Sequence, residues 1–101
     1  MKYFTDLNFD NEIVSGTVVV DFYADWCKPC QALDKTISKV ASGISNVTFG
    51  KVDIDNNPYI TGKYNINSLP TVIIFKNGNM VSKLTGLLNE QSLICAVNDA
   101  I

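Results

Sequence analysis

The apolar residues of this chain follow two periodicities, which predict alternating strands and helices. Residues 18–23 are mostly β-branched or aromatic and follow Gly16, a pattern typical of a buried strand. From Pro29 onward, apolar residues recur at helical spacing: Leu33, Ile37, Val40, Ala41 and Ile44. Pro29 suits the first turn of this predicted amphipathic helix, because no backbone N–H is needed there.

A second strand is predicted over residues 47–54. It should be parallel to the first, because a strand-helix-strand crossover of this length is right-handed and joins parallel strands. Pro58, preceded by two asparagines, indicates the start of a short helix over residues 59–64.

Two further strands and a last helix are predicted near the C-terminal end. Asn77 and Gly78 separate strand-like residues 71–75 from residues 80–84, and Asn-Gly between such runs predicts an antiparallel hairpin. Asn89 is a suitable cap for a final helix whose apolar side chains share one face: Leu93, Val97, Ala100 and Ile101.

The elements together predict the α/β class with a central mixed sheet of four to five strands. Their order is β-α-β-α-β-α-β-β-α if residues 2–5 form a first strand and residues 6–14 a first helix. A chain of 101 residues has the usual size of one domain. We therefore expect a single domain over residues 1–101.

Charge and hydropathy argue against several kinds of partner. A net charge of -2, a pI near 4.8 and no local cluster of basic residues indicate that nucleic acid is not a partner. The most apolar run, residues 18–24, contains Asp21 and is far shorter than the ~20 residues of a membrane span. Residues 1–6 become polar and acidic before an export signal could form, so we expect a cytoplasmic protein.

Two of the three cysteines lie close together, at the junction between the first long strand and the long helix. Functional groups collect at such junctions in α/β sheets. In a first helical turn, Cys27 and Cys30 would have Cα atoms near the ~5.5 Å that a disulfide requires. Free backbone N–H groups and the helix dipole favour the thiolate at Cys27, which makes it the better nucleophile.

Other interpretations of this Cys-x-x-Cys pair are weaker. A structural zinc site needs four ligands, and the chain has no histidine and one other cysteine, Cys95. A pair of core cysteines would not explain why Lys28 and Pro29 separate them at a helix start. We therefore expect redox chemistry and no metal. Cys95 lies opposite the apolar face of its helix and is expected to be an incidental exposed thiol.

Three further side chains are candidates for this site. Asp21 interrupts an apolar strand, so we expect it to be buried with a raised pKa and able to exchange a proton near Cys27 and Cys30. Lys51, on the next strand, is either a neighbour of Asp21 or a surface lysine. Trp26 precedes the nucleophile and is expected to shield the site and to contact partner proteins.

Residues 20–30, with the sequence VDFYADWCKPC, resemble the active-site strand and loop of the thioredoxin family. Further matches follow in order along most of the chain: residues 51–55, 64–66, 69–71, 75–78 and Gly86. The resemblance implies a thioredoxin fold, with helices on both faces of the sheet, and a protein-disulfide reductase that needs no cofactor. Lys28 departs from the usual glycine, Tyr23 from a frequent tryptophan and Lys35 from a frequent proline.

The resemblance also implies roles for individual residues. Cys27 would attack the substrate disulfide and Cys30 would resolve the mixed disulfide, with Asp21 as the buried acid. Lys51 would be the neighbour of Asp21. Lys28 and Pro29, which lie between the two cysteines in the sequence, are expected next to the reacting groups. The surface that docks substrates would consist of Trp26, Leu69, Pro70 and Gly86, with Pro70 in the cis form. The expected partners are disulfide-containing proteins and a thioredoxin reductase, and we expect a monomer.

Two rival functions can be separated by experiment. A glutaredoxin-like or disulfide-isomerase-like enzyme commonly carries histidine or tyrosine in the dipeptide that is Lys28-Pro29 here. Reduction by glutathione alone would favour that rival. A non-catalytic module, which would use the fold only to bind a partner, would be excluded by turnover of a protein disulfide.

Overall fold

The computed structural model describes residues 1–101 and contains one five-stranded sheet with four helices. The elements follow the predicted order: β1 (Lys2–Tyr3), α1 (Phe9–Ile13), β2 (Thr17–Tyr23), α2 (Lys28–Ser42), β3 (Val47–Asp53), α3 (Pro58–Lys63), β4 (Thr71–Lys76), β5 (Asn79–Thr85) and α4 (Glu90–Ala100). In space the strands are arranged β1-β3-β2-β4-β5. Strands β1, β2 and β3 are parallel, whereas β4 is antiparallel to β2 and to β5. The predicted mixed sheet of the α/β class is confirmed.

The alternation of side chains along β2 places helices on both faces of the sheet. Val18 and Val20 belong to a core cluster that includes residues of α1 and α3. Val19 belongs to a second cluster that includes residues of α2 and α4. Because side chains alternate along a strand, Asp21 shares the face of Val19, which α2 covers. The prediction of helices on both faces is confirmed.

Helix α2 begins at the carboxyl end of β2 and carries the predicted apolar stripe. Leu33, Ile37 and Val40 are buried, and Pro29 lies in its first turn. The helix continues through Lys35 to Ser42. None of the four helices combines the length and apolar character that a bilayer span requires.

Both ends of the chain differ in detail from the prediction. Helix α1 covers five residues rather than 6–14, because Asp6 bonds to a distant segment and the Asn8 side chain accepts the Thr5 N–H. At the other end, Leu93 and Val97 are buried as predicted. Ile101 is exposed, because α4 ends one residue before it.

Helix α3 is capped by a residue from the start of the chain. The Asp6 carboxylate accepts the N–H of Tyr59 at 3.2 Å and that of Ile60 at 3.0 Å. The Asn57 side chain makes no cap; its oxygen accepts the Asp6 N–H and its amide donates to the Asp53 carbonyl. The predicted helix therefore forms with a cap that is distant in sequence.

Candidate active site

Cys27 and Cys30 form a disulfide at the start of α2, with Cα atoms 5.3 Å apart. Cys27 is the N-cap residue, and its Sγ accepts a hydrogen bond from the Cys30 backbone N–H at 3.2 Å. A sulfur in this position faces the free N–H groups and the positive end of the helix dipole, which stabilise a thiolate. The predicted separation of the pair and the predicted place of Cys27 are confirmed.

Asp21 is buried on the same side of the sheet as α2, with 1% of its surface exposed. Neither carboxylate oxygen has a hydrogen-bond partner. The pKa of Asp21 is raised to about 7, chiefly because burial disfavours the charged form; the nearby Asp34 carboxylate contributes to the rise, and the Lys51 ammonium opposes it. The predicted burial and the predicted direction of the pKa shift are confirmed. Such a carboxyl group can gain or lose a proton near neutral pH.

A cleft of about 290 Å³ brings Asp21, Cys30 and Lys51 to one place. The nine residues that line it are Asp21, Tyr23, Ala24, Asp25, Cys30, Gln31, Asp34, Lys35 and Lys51. Asp21 and Cys30 therefore line one shared cleft. No group of three or more Cys, Asp or Glu side chains comes together in a way that could hold a metal ion.

Lys51 lies beside the site, but its ammonium group is bound to a residue that the sequence analysis did not single out. Its side chain is 17% exposed, and Nζ lies 3.2 Å from Oδ1 of Asp34. Of the two open interpretations, the neighbour of Asp21 is right, because the partly buried Lys51 lines the same cleft, although it makes no hydrogen bond to Asp21. Asp34 follows Cys30 by four residues, so helical spacing places both on one face of α2. That spacing is the sequence signal for Asp34.

Of the residues expected to dock substrates, Trp26 is exposed and Pro70 is buried. Trp26 is 68% exposed, and its Nε1 donates to the Asp55 carboxylate at 2.9 Å. Leu69 packs against the cluster formed by the two cysteines and Ala24. The following peptide bond, Leu69-Pro70, is cis, as the resemblance implied.

Gly86 is joined to Pro70 by a backbone hydrogen bond. Its N–H donates to the Pro70 carbonyl at 2.9 Å, and its φ of +88° is a backbone conformation that favours glycine. Lys28 and Pro29 are exposed between the cysteines. Cys95 is exposed on α4, as predicted, and lies outside this group of residues.

Comparison with known proteins decides the family. A family model described as Thioredoxin matches residues 1–99. This chain belongs to the thioredoxin family. Among named thioredoxins, that of Chlamydia pneumoniae is 40% identical over 98 residues, which are 97% of this chain and 96% of that one. The thioredoxin of Rickettsia bellii is 41% identical over 100 residues, with 96% and 95% of the two chains covered.

A solved thioredoxin structure has the same architecture as this thioredoxin. The structure is a mutant thioredoxin from Halobacterium salinarum, with a TM-score of 0.89 and 29% sequence identity. The match covers 98% of the present chain and 88% of the other. The family, the fold and the Cys27–Cys30 pair make this chain a thiol-disulfide oxidoreductase that works by dithiol-disulfide exchange. The family, fold class and type of activity expected from the sequence are confirmed.

Proposed function

We propose that this thioredoxin is a general protein-disulfide reductase in which Cys27 attacks, Cys30 resolves and Asp21 transfers the proton. The observation that supports this assignment is the position of Cys27. It caps α2 and accepts the Cys30 N–H, so the helix start stabilises negative charge on its sulfur. A single domain over residues 1–101 holds every group that the reaction needs.

In the first step, the Cys27 thiolate attacks one sulfur of the substrate disulfide. The substrate S–S bond breaks, a mixed disulfide with Cys27 forms, and the departing substrate sulfur takes a proton from solvent. Lys28 and Pro29 flank the attacking sulfur at the helix start, where Lys28 adds a positive charge beside it. No cofactor is involved, because the two cysteine sulfurs store the two electrons.

In the second step, Cys30 must lose its proton before it attacks. The Asp21 carboxylate accepts that proton through the shared cleft, since its pKa near 7 suits proton transfer at neutral pH. The Cys30 thiolate then attacks Sγ of Cys27, the bond between Cys27 and the substrate sulfur breaks, and the Cys27–Cys30 disulfide closes. The second substrate sulfur leaves as a thiolate and takes a proton from solvent. The substrate gains two electrons, and the enzyme loses two.

Substrate proteins would dock on the surface formed by Trp26, Leu69, Pro70 and Gly86. The exposed Trp26 ring would provide contact area next to Cys27, and Leu69 packs against the cysteine pair. The partners on this proposal are disulfide-containing proteins, and a thioredoxin reductase that returns two electrons to the disulfide. We further propose that the protein acts as a cytoplasmic monomer.

Reduction of insulin disulfides tests the function. With dithiothreitol as the electron donor, the protein should reduce insulin faster than dithiothreitol alone, and Cys27→Ser should lose this acceleration. Coupling to a bacterial thioredoxin reductase should make NADPH oxidation depend on the protein. A rate equal to that of free dithiol would refute the reductase function. Equally fast recycling by glutathione alone would favour a glutaredoxin-like enzyme.

A further inference from the structure

The ammonium group of Lys51 is held by three side chains, none of which is Asp21. Nζ lies 3.2 Å from Oδ1 of Asp34, 4.6 Å from the centroid of the Tyr23 ring and 5.4 Å from that of Tyr3. Aromatic rings within about 6 Å attract a cation, and the Asp34 carboxylate adds a charge-assisted hydrogen bond. These three contacts together hold the ammonium group in place.

Asp21 is the residue that Lys51 would otherwise be expected to bind. The two residues are paired in the parallel register of β2 and β3, so their side chains leave the sheet on the same face. Even so, both oxygens of Asp21 lack a hydrogen-bond partner. The flexible stem of a lysine could bring Nζ closer, and Asp34 competes for it from α2.

We propose that Asp34 is a positioning residue that holds the Lys51 ammonium away from Asp21 and so keeps the buried carboxyl group free to exchange a proton with Cys30. The positioning stands on the contacts of Lys51, and its catalytic purpose rests on the proposed function of Asp21. Asp34 touches neither substrate nor sulfur in this scheme. It acts through the place it gives to Lys51.

Few other charged groups near Asp21 could hold the Lys51 ammonium away from it. Helix α2 also presents Lys35 to the cleft, and the segment after β2 presents Asp25. Tyr23 lines the cleft from β2, and burial raises the pKa of its phenol to about 12, so the ring is neutral. On β4, Asp21 is paired with the apolar Val72. Among these groups, Asp34 is the one that binds Lys51.

The consequence of losing Asp34 can be measured on Asp21 itself. In Asp34→Asn the ammonium group is released toward Asp21, and one negative charge leaves the cleft. An opposite charge within ~4–6 Å lowers the pKa of a carboxyl group, so the pKa of Asp21 should fall by roughly 1. The measurement is the pH titration of the Asp21 carboxyl carbon by NMR in the disulfide form.

Two further variants separate positioning from simple repulsion between carboxylates. Asp25→Asn removes a carboxylate from the same cleft without touching Lys51, and it should leave the pKa of Asp21 nearly unchanged. In a Lys51→Met background, Asp34→Asn should lower the pKa of Asp21 by no more than half as much, because there is no ammonium left to release. An equal effect in both backgrounds would overturn the positioning role, as would an unchanged or raised pKa in Asp34→Asn alone.

The rate of mixed-disulfide resolution distinguishes this inference from the proposed function. In Asp34→Asn, the midpoint of the pH profile for release of a substrate from Cys27 should move down with the pKa of Asp21. If the pKa of Asp21 falls but the pH profile for substrate release does not move, Asp21 is not the group that transfers the proton. The positioning of Lys51 by Asp34 would still hold in that case. A profile that moves while the pKa does not would refute the positioning.

Discussion

Asp21 and Lys51 are directly paired on neighbouring parallel strands, yet no hydrogen bond joins them. The carboxyl group thus lies in the interior without a bound counter-ion, while the ammonium group pairs with Asp34. Desolvation without a close partner favours the neutral acid, and this raises the pKa of Asp21 to about 7. The same arrangement makes the stability of the protein depend on pH.

Asp21→Asn should stabilise the protein at neutral and alkaline pH. The folded-state pKa of about 7 lies above the unfolded value of 3.8, so the folded protein holds its proton longer. The contribution of this group to the free energy of unfolding is fully present below pH 3.8 and is lost as pH rises toward 7. The amide does not titrate, so at pH 8 the variant should gain up to about 4 kcal/mol.

Urea unfolding of both proteins in the disulfide form checks this prediction. The stability difference between variant and wild type should grow from pH 4 to pH 7 and then stay constant. A difference independent of pH would mean that the Asp21 carboxyl group is solvated. The same variant should resolve mixed disulfides more slowly, because Cys30 loses its proton acceptor.

Cys30→Ser should trap substrates on the enzyme. The attacking sulfur of Cys27 remains, but the group that releases the bound protein is gone, so mixed disulfides should accumulate and turnover should fall to background. Mass spectrometry of a proteolytic digest locates the adduct. Cys95→Ser is the matched control: it removes an exposed thiol outside the site and should leave turnover unchanged. Adducts on Cys95 rather than Cys27 would show that the roles are misassigned.

Lys28→Gln should make the protein slightly more reducing. A positive charge beside Cys27 stabilises its thiolate and therefore the reduced form. Because Lys28 is exposed and screened by solvent, the potential should fall by only on the order of 10 mV. Equilibration with a glutathione redox buffer measures this change.

Lys39→Gln provides the control within the same helix. Lys39 is exposed and lies about 16 Å further along α2, beyond the Debye length of ~8–10 Å at moderate salt. Its replacement should move the potential less than Lys28→Gln does. Equal shifts in the two variants would contradict a local effect on Cys27.

Gly50→Ala should destabilise the fold. Gly50 lies on β3, and a Cβ there would overlap with the buried ring of Phe4. Forcing a methyl group into such a contact typically costs about 1–3 kcal/mol. Gly62→Ala, where a Cβ meets nothing within 4 Å, should be neutral or stabilising by a few tenths of a kcal/mol. Equal thermal midpoints for the two variants would contradict this account.

Features with a local cause were predictable from the sequence. The hairpin at Asn77 and Gly78 follows from two positive φ angles, +51° and +86°, which these residue types tolerate. The cysteine pair at the start of α2 follows from its spacing and from the helix pattern after it. The burial of Asp21 follows from the apolar residues on both sides of it in β2.

Features that depend on how distant segments meet could not be predicted. The pair formed by Lys51 and Asp34 requires the packing of α2 on the sheet and the register of β3, neither of which a local pattern encodes. Sequence spacing offered only the i, i+4 relation of Asp34 to Cys30. The exposure of Ile101 depends on where α4 ends, and the boundaries of elements are their least predictable part.

The cap of α3 has a consequence for the order in which the protein folds. Helix α3 has six residues, far fewer than the ~12–15 that an isolated helix needs for even marginal stability in water. Its first N–H groups bond to Asp6, which precedes Tyr59 by 53 residues. Closing a loop of that length is slow compared with forming a local turn. We therefore expect α3 to become ordered late, after the segment around Asp6 has docked. In native-state hydrogen exchange, the amides of Tyr59 and Ile60 should lose protection together with that segment.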